Sequence, residues 1–411
     1  MNKTMLRKYA KLIVKVGANV QKGQGVVINV AVDQHDFATY LIDEAYKAGA
    51  KWVSVEWLHQ PATKLAYRHE TVTTLSKVPK WKEEKMQYWV DENPCRIFIL
   101  SEDPDGLKGV NVAKMQKARI AQMKVLKPYR DAMENKYQWT IAAVPSPKWA
   151  KKVFPGERTS VAMKKLWDAI FATVHITADN DPVAAWDAHN QDFKEKCEKL
   201  NAYQFASLHY KSANGTDFKV GLIEDAIWMG GGETALNGNF FNPNLPTEEI
   251  FTSPMKGKAE GTVVSTKPLS YQGQLIENFS MTFENGKVVS CKAEKGQEAL
   301  EKMISMDENA AYLGEVALIP HNSPISNSGI LFYETLFDEN ASCHLAVGSG
   351  FSNVLKGFEN MTREETIEKG INDSNIHVDF MIGAPDLCIT GYTKDGTAVE
   401  LFKDGNWADG M

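Results

Sequence analysis

The stretch GVVINVAV, residues 25–32, decides the fold of the N-terminal half of this 411-residue chain. It is β-branched and almost entirely apolar, a pattern typical of a strand that is buried on both faces of a sheet. A helical pattern with Phe37, Leu41 and Ala45 on one side follows it, and Gly49 ends that helix. This part of the sequence therefore predicts a strand followed by a covering helix.

Short apolar strand signals recur along the N-terminal half, separated by helix-like sequence rich in Lys, Glu and Ala. They occupy residues 52–58, 96–100 and 139–144. Alternating strands and helices predict a mainly parallel sheet that is covered by helices. Residues 181–203 have the pattern of one more helix, which would close this half.

The pattern changes after about residue 204, where short strands and turns replace the long helices. Residues 279–294, FSMTFENGKVVSCKAE, predict a hairpin, because Asn285-Gly286 accepts the positive φ angles of a type I′ turn. We therefore predict two domains, an α/β domain with a mainly parallel sheet over 1–200 and an α+β domain with an antiparallel or mixed sheet over 201–411. The boundary is expected between residues 185 and 205.

Composition and charge exclude several functional classes. The formal net charge of −6 argues against an electrostatic nucleic-acid binder. The five cysteines are scattered without a C-x-x-C pair, which suits a reducing compartment. The N-terminal segment does not have the pattern of a secretory signal, and the chain contains no apolar run long enough to span a membrane. We expect a cytoplasmic protein.

His377 and Asp379 form the first candidate metal-binding pair. They lie in the apolar, β-prone sequence IHVDFMIG, and residues i and i+2 of a strand point to the same side. Glu315 lies in the similarly apolar LGEVALIP, where a buried, ionised carboxylate is very unfavourable without a partner. A lysine or arginine could neutralise it, but none lies in this strand, and a divalent cation could serve several such groups at once.

Two further candidates come from loops and strand ends, namely His344 and one of the adjacent glutamates Glu248 and Glu249. His344, in ENASCHLAVGSG, follows Glu339 by five residues, and a buried core histidine is the competing interpretation. In NLPTEEIFTSP, Glu248 and Glu249 would face opposite ways, so that one of them could point into a site. Because imidazole and carboxylate ligands suit zinc, cobalt or manganese, the whole set indicates a metal site formed by the C-terminal half.

The ordered series NLPTEEIFT, LGEVALIP, FDENASCHLAVGSG and IHVDFMIGAPD resembles a known family, the dinuclear metallo-aminopeptidases that include thermophilic aminopeptidase T and aminopeptidase S of staphylococcal and streptococcal type. The resemblance extends over the whole chain. It implies a broad-specificity exopeptidase that acts on peptides, needs two divalent ions such as zinc or cobalt, and forms a homodimer. By that resemblance the metal ligands are Glu249, Glu315, His344, His377 and Asp379, with Glu339 as another acidic position associated with the metals.

One position departs from the family pattern. Seven residues after His344 the family usually carries a tyrosine near the metals, whereas this chain has Phe351. A phenyl ring cannot donate a hydrogen bond to a developing oxyanion, and the loss of such a donor can cost roughly two to three orders of magnitude in turnover. Either another donor substitutes or turnover is reduced.

The expected reaction is attack on the first peptide carbonyl by a water that two metal ions activate. Two alternatives stay open from the sequence. One is a dimetal hydrolase that acts on an amide or ester without an α-amine. The other is a binding or regulatory protein whose site has lost activity, for which Phe351 is the main support.

Overall fold

The computed structural model describes residues 2–271 and 274–411. The α-helices are α1 Lys3–Leu12, α2 His35–Lys47, α3 Gln60–His69, α4 Val72–Ser76, α5 Lys80–Glu92, α6 Val112–Met133, α7 Pro147–Val153, α8 Thr159–Thr173, α9 Pro182–Tyr203, α10 Gln297–Ile304, α11 Pro324–Ser328, α12 Thr335–Asp338 and α13 Arg363–Glu368. None of the helices in these two ranges is long and apolar enough to cross a membrane.

The strands are short in most of the chain and longest around the predicted hairpin. They are β1 Gly25–Ala31, β2 Trp52–Leu58, β3 Cys95–Leu100, β4 Trp139–Ala143, β5 Phe205–Lys211, β6 Asp217–Leu222, β7 Met229–Gly230, β8 Glu233–Thr234, β9 Phe240–Phe241, β10 Asn244–Leu245, β11 Ile250–Thr252, β12 Pro254–Val264, β13 Leu269–Tyr271, β14 Gln274–Glu284, β15 Lys287–Lys295, β16 Leu313–Leu318, β17 His344–Gly348, β18 His377–Met381, β19 Cys388–Thr393, β20 Ala398–Lys403 and β21 Asn406–Trp407.

The chain divides into two compact units, and the first contains Met1–Ala188 together with Gly232–Pro246. Its sheet has the order β10-β4-β3-β1-β2, and every neighbouring pair is parallel. Val26, Val27, Ile28 and Val30 of β1 are fully buried, because a central parallel strand is covered on both faces. The predicted α/β fold with a parallel sheet is confirmed.

The first unit does not end where a single boundary near residue 200 would place it. The segment Gly232–Pro246 belongs to this unit, because β10 pairs with the edge strand β4. Thr140 also donates a hydrogen bond to the backbone carbonyl of Asn242, at 2.8 Å. A two-residue strand carries no periodicity in the sequence, so the return of the chain was not predicted.

The second unit contains His189–Gly231 and Thr247–Met411 and is built mainly from two antiparallel sheets. The larger sheet has the order β13-β14-β12-β6-β5-β19-β20-β21, and β15 pairs with β14. Asn285 and Gly286 both have positive φ angles, 50° and 80°, as the predicted turn between β14 and β15 requires. The antiparallel character predicted for the C-terminal half is confirmed.

The smaller sheet of the second unit has the order β18-β17-β16-β11-β7 and positions the candidate site. All four of its strand pairs are antiparallel. Its central strand, β16, is buried at every position, and Val316 and Leu318 of that strand belong to the hydrophobic core of the unit. Because the side chains on one face of this sheet are buried in the core, the alternate side chains along each strand must point to the opposite face.

Candidate metal centre

Glu315 is the most deeply buried carboxylate of the candidate set. It lies in β16, with only 3% of its surface exposed, between apolar neighbours. Strands β11 and β17 pair with β16 on its two sides, so the backbone around Glu315 cannot shift easily. An acidic side chain in such a place needs a compensating group.

The strand register brings the other predicted residues to the same face of the sheet. Ala346 pairs with Glu315 on one side and with Asp379 on the other, so the two carboxylates lie in one row across the strands. His344 and His377 lie two residues from this row along β17 and β18. Because side chains alternate along a strand, residues two apart share a face.

The donor atoms form two groups that have Glu315 in common. One group is Glu249, Glu315 and His344, the other is Glu315, His377 and Asp379, and within each group the donor atoms lie within 4.8 Å of one another. His377 Nε2 lies 3.1 Å from a carboxylate oxygen of Glu315 and 3.2 Å from one of Asp379. His344 Nε2 lies 3.8 Å from Glu249. Each group offers both imidazole and carboxylate, as a site for a divalent cation would.

Both histidines have the orientation that ligand histidines adopt. His377 Nδ1 donates to the carbonyl of Ser349 at 2.7 Å, and His344 Nδ1 donates to the carbonyl of Glu339 at 3.0 Å. A backbone carbonyl can only accept, so Nδ1 carries the proton in each ring. Nε2 of a neutral ring then presents its lone pair to the carboxylates, which is the arrangement around bound metals.

Burial and mutual repulsion perturb the pKa values of the acidic groups. Burial, followed by the charge of Glu315, raises the pKa of Glu249 well above its usual range, and burial also raises that of Glu315. Burial opposes ionisation of Asp379, but contact with His377 lowers its pKa to about 2. Burial opposes protonation of His377, yet Asp379 and Glu315 raise the pKa of its ring. Without a cation, these groups must share protons.

Glu339 lies beside the two groups without belonging to either. It begins a short 3₁₀ helix before β17, and burial, then the charges of Asp379 and Glu249, raise the pKa of its carboxyl well above its usual range. In the described part of the chain, no lysine or arginine forms an ion pair with Glu249, Glu315, Glu339 or Asp379. Oδ1 of Asp379 is buried, and Nε2 of His377 approaches it to 3.2 Å. The cluster fits divalent cations better than it fits a purely structural role.

The alternation expected at Glu248 and Glu249 is present in the structure. Glu249 faces the cluster, whereas a carboxylate oxygen of Glu248 lies 3.8 Å from His189 Nε2. Cys343, which precedes His344, is buried and donates to the carbonyl of Ile319, as expected for a side chain on the opposite face. The choice between the two glutamates depends on pairing with β16, which the sequence alone does not show.

Two supporting residues were not identified from the sequence. Asn340 is fully buried, and its side-chain oxygen accepts from the backbone N–H of Glu248 at 2.9 Å, which holds the segment before Glu249. Ser253 accepts from the backbone N–H of Phe351 at 2.8 Å. The position of Asn340, directly after Glu339, was the available signal.

Phe351 lies directly against the cluster. Its ring centroid is 4.8 Å from that of His377 and 5.5 Å from that of Phe251, and 38% of the residue is exposed. The phenyl group therefore covers one ligand candidate without offering it a polar atom. The position at which this chain departs from the family pattern therefore lies at the candidate site itself.

This arrangement of carboxylates and imidazoles is typical of a metal-dependent protein, and comparison with known proteins identifies its family. The family model for thermophilic metalloproteases, M29, matches residues 2–407. The chain belongs to this family, which confirms the resemblance noted in the sequence.

Relatives with curated names resemble this chain over nearly its full length. It is 44% identical over 404 residues to the aminopeptidase AmpS of Bacillus subtilis (strain 168), covering 98% of each chain. It is 41% identical to aminopeptidase 2 of Geobacillus stearothermophilus, covering 98% of this chain and 97% of the relative. Together with the family model, these relatives confirm the predicted class, a metallo-aminopeptidase.

A solved structure has the same fold. The wild-type AmpT of Thermus thermophilus superposes with a TM-score of 0.91 at 38% identity, covering 99% of each chain. The predicted two-part architecture, with a parallel sheet first and antiparallel sheets after it, is therefore also found in a relative.

Proposed function

We propose that this protein is a broad-specificity aminopeptidase that removes the N-terminal residue from peptides with the help of two divalent ions. The observation that carries the proposal is the pair of donor groups that share Glu315. The ions would be held by Glu249, Glu315 and His344 on one side and by Glu315, His377 and Asp379 on the other. Zinc, cobalt or manganese suits this mixture of nitrogen and oxygen donors.

The bound ions would supply Lewis acidity for the scissile carbonyl and a water of lowered pKa. The residues of the chain prepare the site for this chemistry. The carbonyls of Ser349 and Glu339 fix the tautomers of His377 and His344, so that Nε2 stays available. Glu339 belongs to neither donor group, which leaves its carboxylate for the substrate. The acidic cluster as a whole favours the positively charged α-amino group of a peptide.

Two further parts of the proposal, the oligomeric state and the cellular location, go beyond the family assignment. We propose a homodimer, following the family resemblance. We also propose a cytoplasmic location, which is supported by the thiols of all five cysteines being free among the described residues. A catalytically weakened protein that binds two metals is the second candidate, favoured by Phe351 at the ring of His377.

A peptide assay tests the proposal. The protein, supplied with zinc or cobalt, is incubated with Leu-Ala-Ala and with its N-acetylated form, each with and without a chelator. We expect release of free leucine that stops with the chelator and does not occur from the acetylated peptide. Cleavage of the acetylated peptide would indicate another dimetal hydrolase, and two bound metals without turnover would indicate the weakened protein.

A further inference from the structure

The segment 348–351, at the end of β17, carries the carbonyl that orients His377. The carbonyl oxygen of Ser349 accepts from Nδ1 of His377 at 2.7 Å, and this hydrogen bond leaves Nε2 of the ring facing two carboxylates of the cluster. Because β17 ends at Gly348, strand pairing does not hold this carbonyl in place. Other contacts must do so, since an acceptor orients a ring only as well as the acceptor itself is fixed.

Asn372 provides side-chain contacts that hold this segment. The residue is fully buried, and its Nδ2 donates to the carbonyls of Gly348 at 2.6 Å and of Asn309 at 2.9 Å. The carbonyl of Tyr312 lies 3.4 Å from the same nitrogen. All three partners are backbone carbonyls, which can only accept, so they determine the orientation of the amide. Asn372 thus ties the end of β17 to the loop before β16.

The backbone around Asn372 holds the next residues of the segment. The N–H of Gly350 donates to the backbone carbonyl of Asn372 at 2.7 Å, and the N–H of Ser349 donates to that of Ile376 at 2.6 Å. The side chain and the backbone carbonyl of Asn372 therefore bind the two neighbours of Ser349. The carbonyl of Ser349 stays available for His377.

The amide of Asn372 is used on one side only. Its Oδ1 atom is buried and has no hydrogen-bond donor in the part of the chain that the structure describes. A buried polar atom without a partner lowers stability, so an asparagine is an unfavourable choice for merely filling space at this position. The donor half of the amide performs a positional task that an apolar side chain could not perform.

The strand beside the segment leaves little room for it. Gly314 precedes Glu315 in β16, at a shift in register between β16 and β17. A Cβ atom at Gly314 would lie 2.1 Å from the carbonyl oxygen of Ser349 and 2.6 Å from that of Gly348. The segment is therefore fixed from two sides, by close contact with the strand of Glu315 and by the hydrogen bonds of Asn372.

The second imidazole of the cluster is held by a different part of the chain. Nδ1 of His344 donates to the carbonyl of Glu339, in the 3₁₀ helix before β17. Within the described residues, the side chain of Asn372 makes no hydrogen bond to that helix. A change at Asn372 should therefore affect the two histidine rings differently, and His344 can serve as an internal reference.

We infer that Asn372 is a positioning residue for His377. Its amide holds the segment 348–351 where the carbonyl of Ser349 keeps Nε2 of the ring directed at the carboxylates. The inference deepens the proposed function, on which its metal-binding part rests. It makes the affinity of one of the two ion sites, the one with His377, depend on a residue outside both donor groups.

Hydrogen exchange of the ring N–H groups tests the inference without any metal. Metal-free protein with ¹⁵N-labelled histidine is studied by NMR, and the Nδ1–H signals are assigned from their loss in His377→Gln and in His344→Gln. In Asn372→Ala we expect the Nδ1–H of His377 to exchange at least about tenfold faster, because its acceptor is less well fixed. The exchange rate at His344 should change by less than about threefold.

Two further variants keep this test decisive. Gly314→Ala pushes the same segment from the side of β16 and should give the same selective increase at His377, which can be measured even if Asn372→Ala does not fold. Asn201→Ala removes a side chain that binds backbone elsewhere in the unit and should leave both exchange rates close to wild type. Equal changes at His377 and His344, or no change at either, would overturn the inference.

Zinc binding separates the inference from the proposed function. Affinities are measured by competition with a chelator for wild type, Asn372→Ala and Asn201→Ala. Asn372→Ala should weaken one of the two zinc ions by about 10–100-fold and the other by less than about threefold, as expected for a residue that supports a single ligand. Asn201→Ala should change neither affinity. Equal weakening of both ions in Asn372→Ala, or of neither, would overturn the inference. A wild type that binds no zinc would contradict the proposed function alone, and the exchange rates would then decide the inference.

Discussion

Buried acidic groups are treated differently in the two units of the molecule. In the first unit, burial raises the pKa of Glu233 to about 7, so this carboxyl can hold a proton through the acidic range. In the second unit, Glu315 lies within a cluster of acids and imidazoles that three paired strands and their neighbouring segments hold in place. A lone buried acid is neutralised by one proton, whereas a fixed cluster with oriented histidines is suited to cations.

The largest expected effect comes from removing a proposed ligand. His377→Ala should lower kcat/KM for Leu-Ala-Ala by about 10³-fold or more, because even the loss of a ligand's supporting hydrogen bond costs about 10–100-fold. The measurement is steady-state kinetics at saturating zinc or cobalt.

The matched control is His209→Ala, which breaks a His–Asp pair on the larger sheet of the same unit, where Nε2 lies 2.6 Å from Asp217. Because this pair lies outside the cluster, we expect little change in kcat/KM for His209→Ala. Similar losses in both variants would mean that the cluster has no special role.

A gain of activity is expected when the family tyrosine is restored. Phe351→Tyr places a phenol on the ring that packs against His377, and a donor of this kind contributes about 10²-fold or more in turnover. The measurement is kcat for Leu-Ala-Ala, with Phe251→Tyr, on the neighbouring ring, as the control. An unchanged kcat in Phe351→Tyr would show that another donor already acts in this protein.

Removing a residue that supports the cluster should have a smaller effect. Asn340→Ala deletes the acceptor of the Glu248 N–H and should weaken metal binding by about tenfold, since the segment before Glu249 becomes less well fixed. The free energy of unfolding should also fall by about 1–3 kcal/mol, because a buried donor is left unpaired. Metal affinity is measured by competition with a chelator.

Asn201→Ala provides the control for that experiment. Asn201 bonds to both backbone groups of Trp228, at 2.8 and 3.1 Å, in the same unit, and neither residue belongs to the cluster. The Asn201→Ala substitution should lower the free energy of unfolding without changing the metal affinity. A loss of affinity in Asn201→Ala equal to that in Asn340→Ala would attribute both effects to general destabilisation.

The smallest expected effect concerns Glu233, the acidic residue of the first unit. The pKa of Glu233 in the folded protein, about 7, lies above its unfolded value of about 4.3, so stability falls as pH rises between these values. Glu233→Gln removes this dependence and should raise the thermal midpoint at pH 8 by about 3 °C relative to wild type, with a much smaller difference at pH 5. Glu70→Gln, at an exposed glutamate of the same unit, is the control. An equal difference in thermal midpoint between Glu233→Gln and wild type at both pH values would contradict the raised pKa of Glu233.

Much of the site was predictable because strands have a strict period of two. The spacing of His377 and Asp379, and the isolation of Glu315 in an apolar run, are enough to indicate polar groups that face inward. The parallel sheet was likewise visible in the β-branched runs such as residues 25–32. These are local signals, and local signals are what a single sequence carries.

Other features depend on pairing between distant segments. The choice of Glu249 over Glu248 follows from strand β11 beside β16, and the return of residues 232–246 to the first unit follows from β10 beside β4. Glu339 lies on a 3₁₀ turn, where no period distinguishes inward from outward positions, so only the family resemblance indicated it.

The metal content of the purified protein tests the central claim most directly. Wild type, Glu249→Ala and His377→Ala are purified without added metal, incubated with equal zinc, freed of excess ion and analysed by elemental mass spectrometry. The account predicts close to two ions per wild-type chain and a clear loss in both variants. A content that is the same in all three proteins, or a wild type that retains no metal, would contradict it.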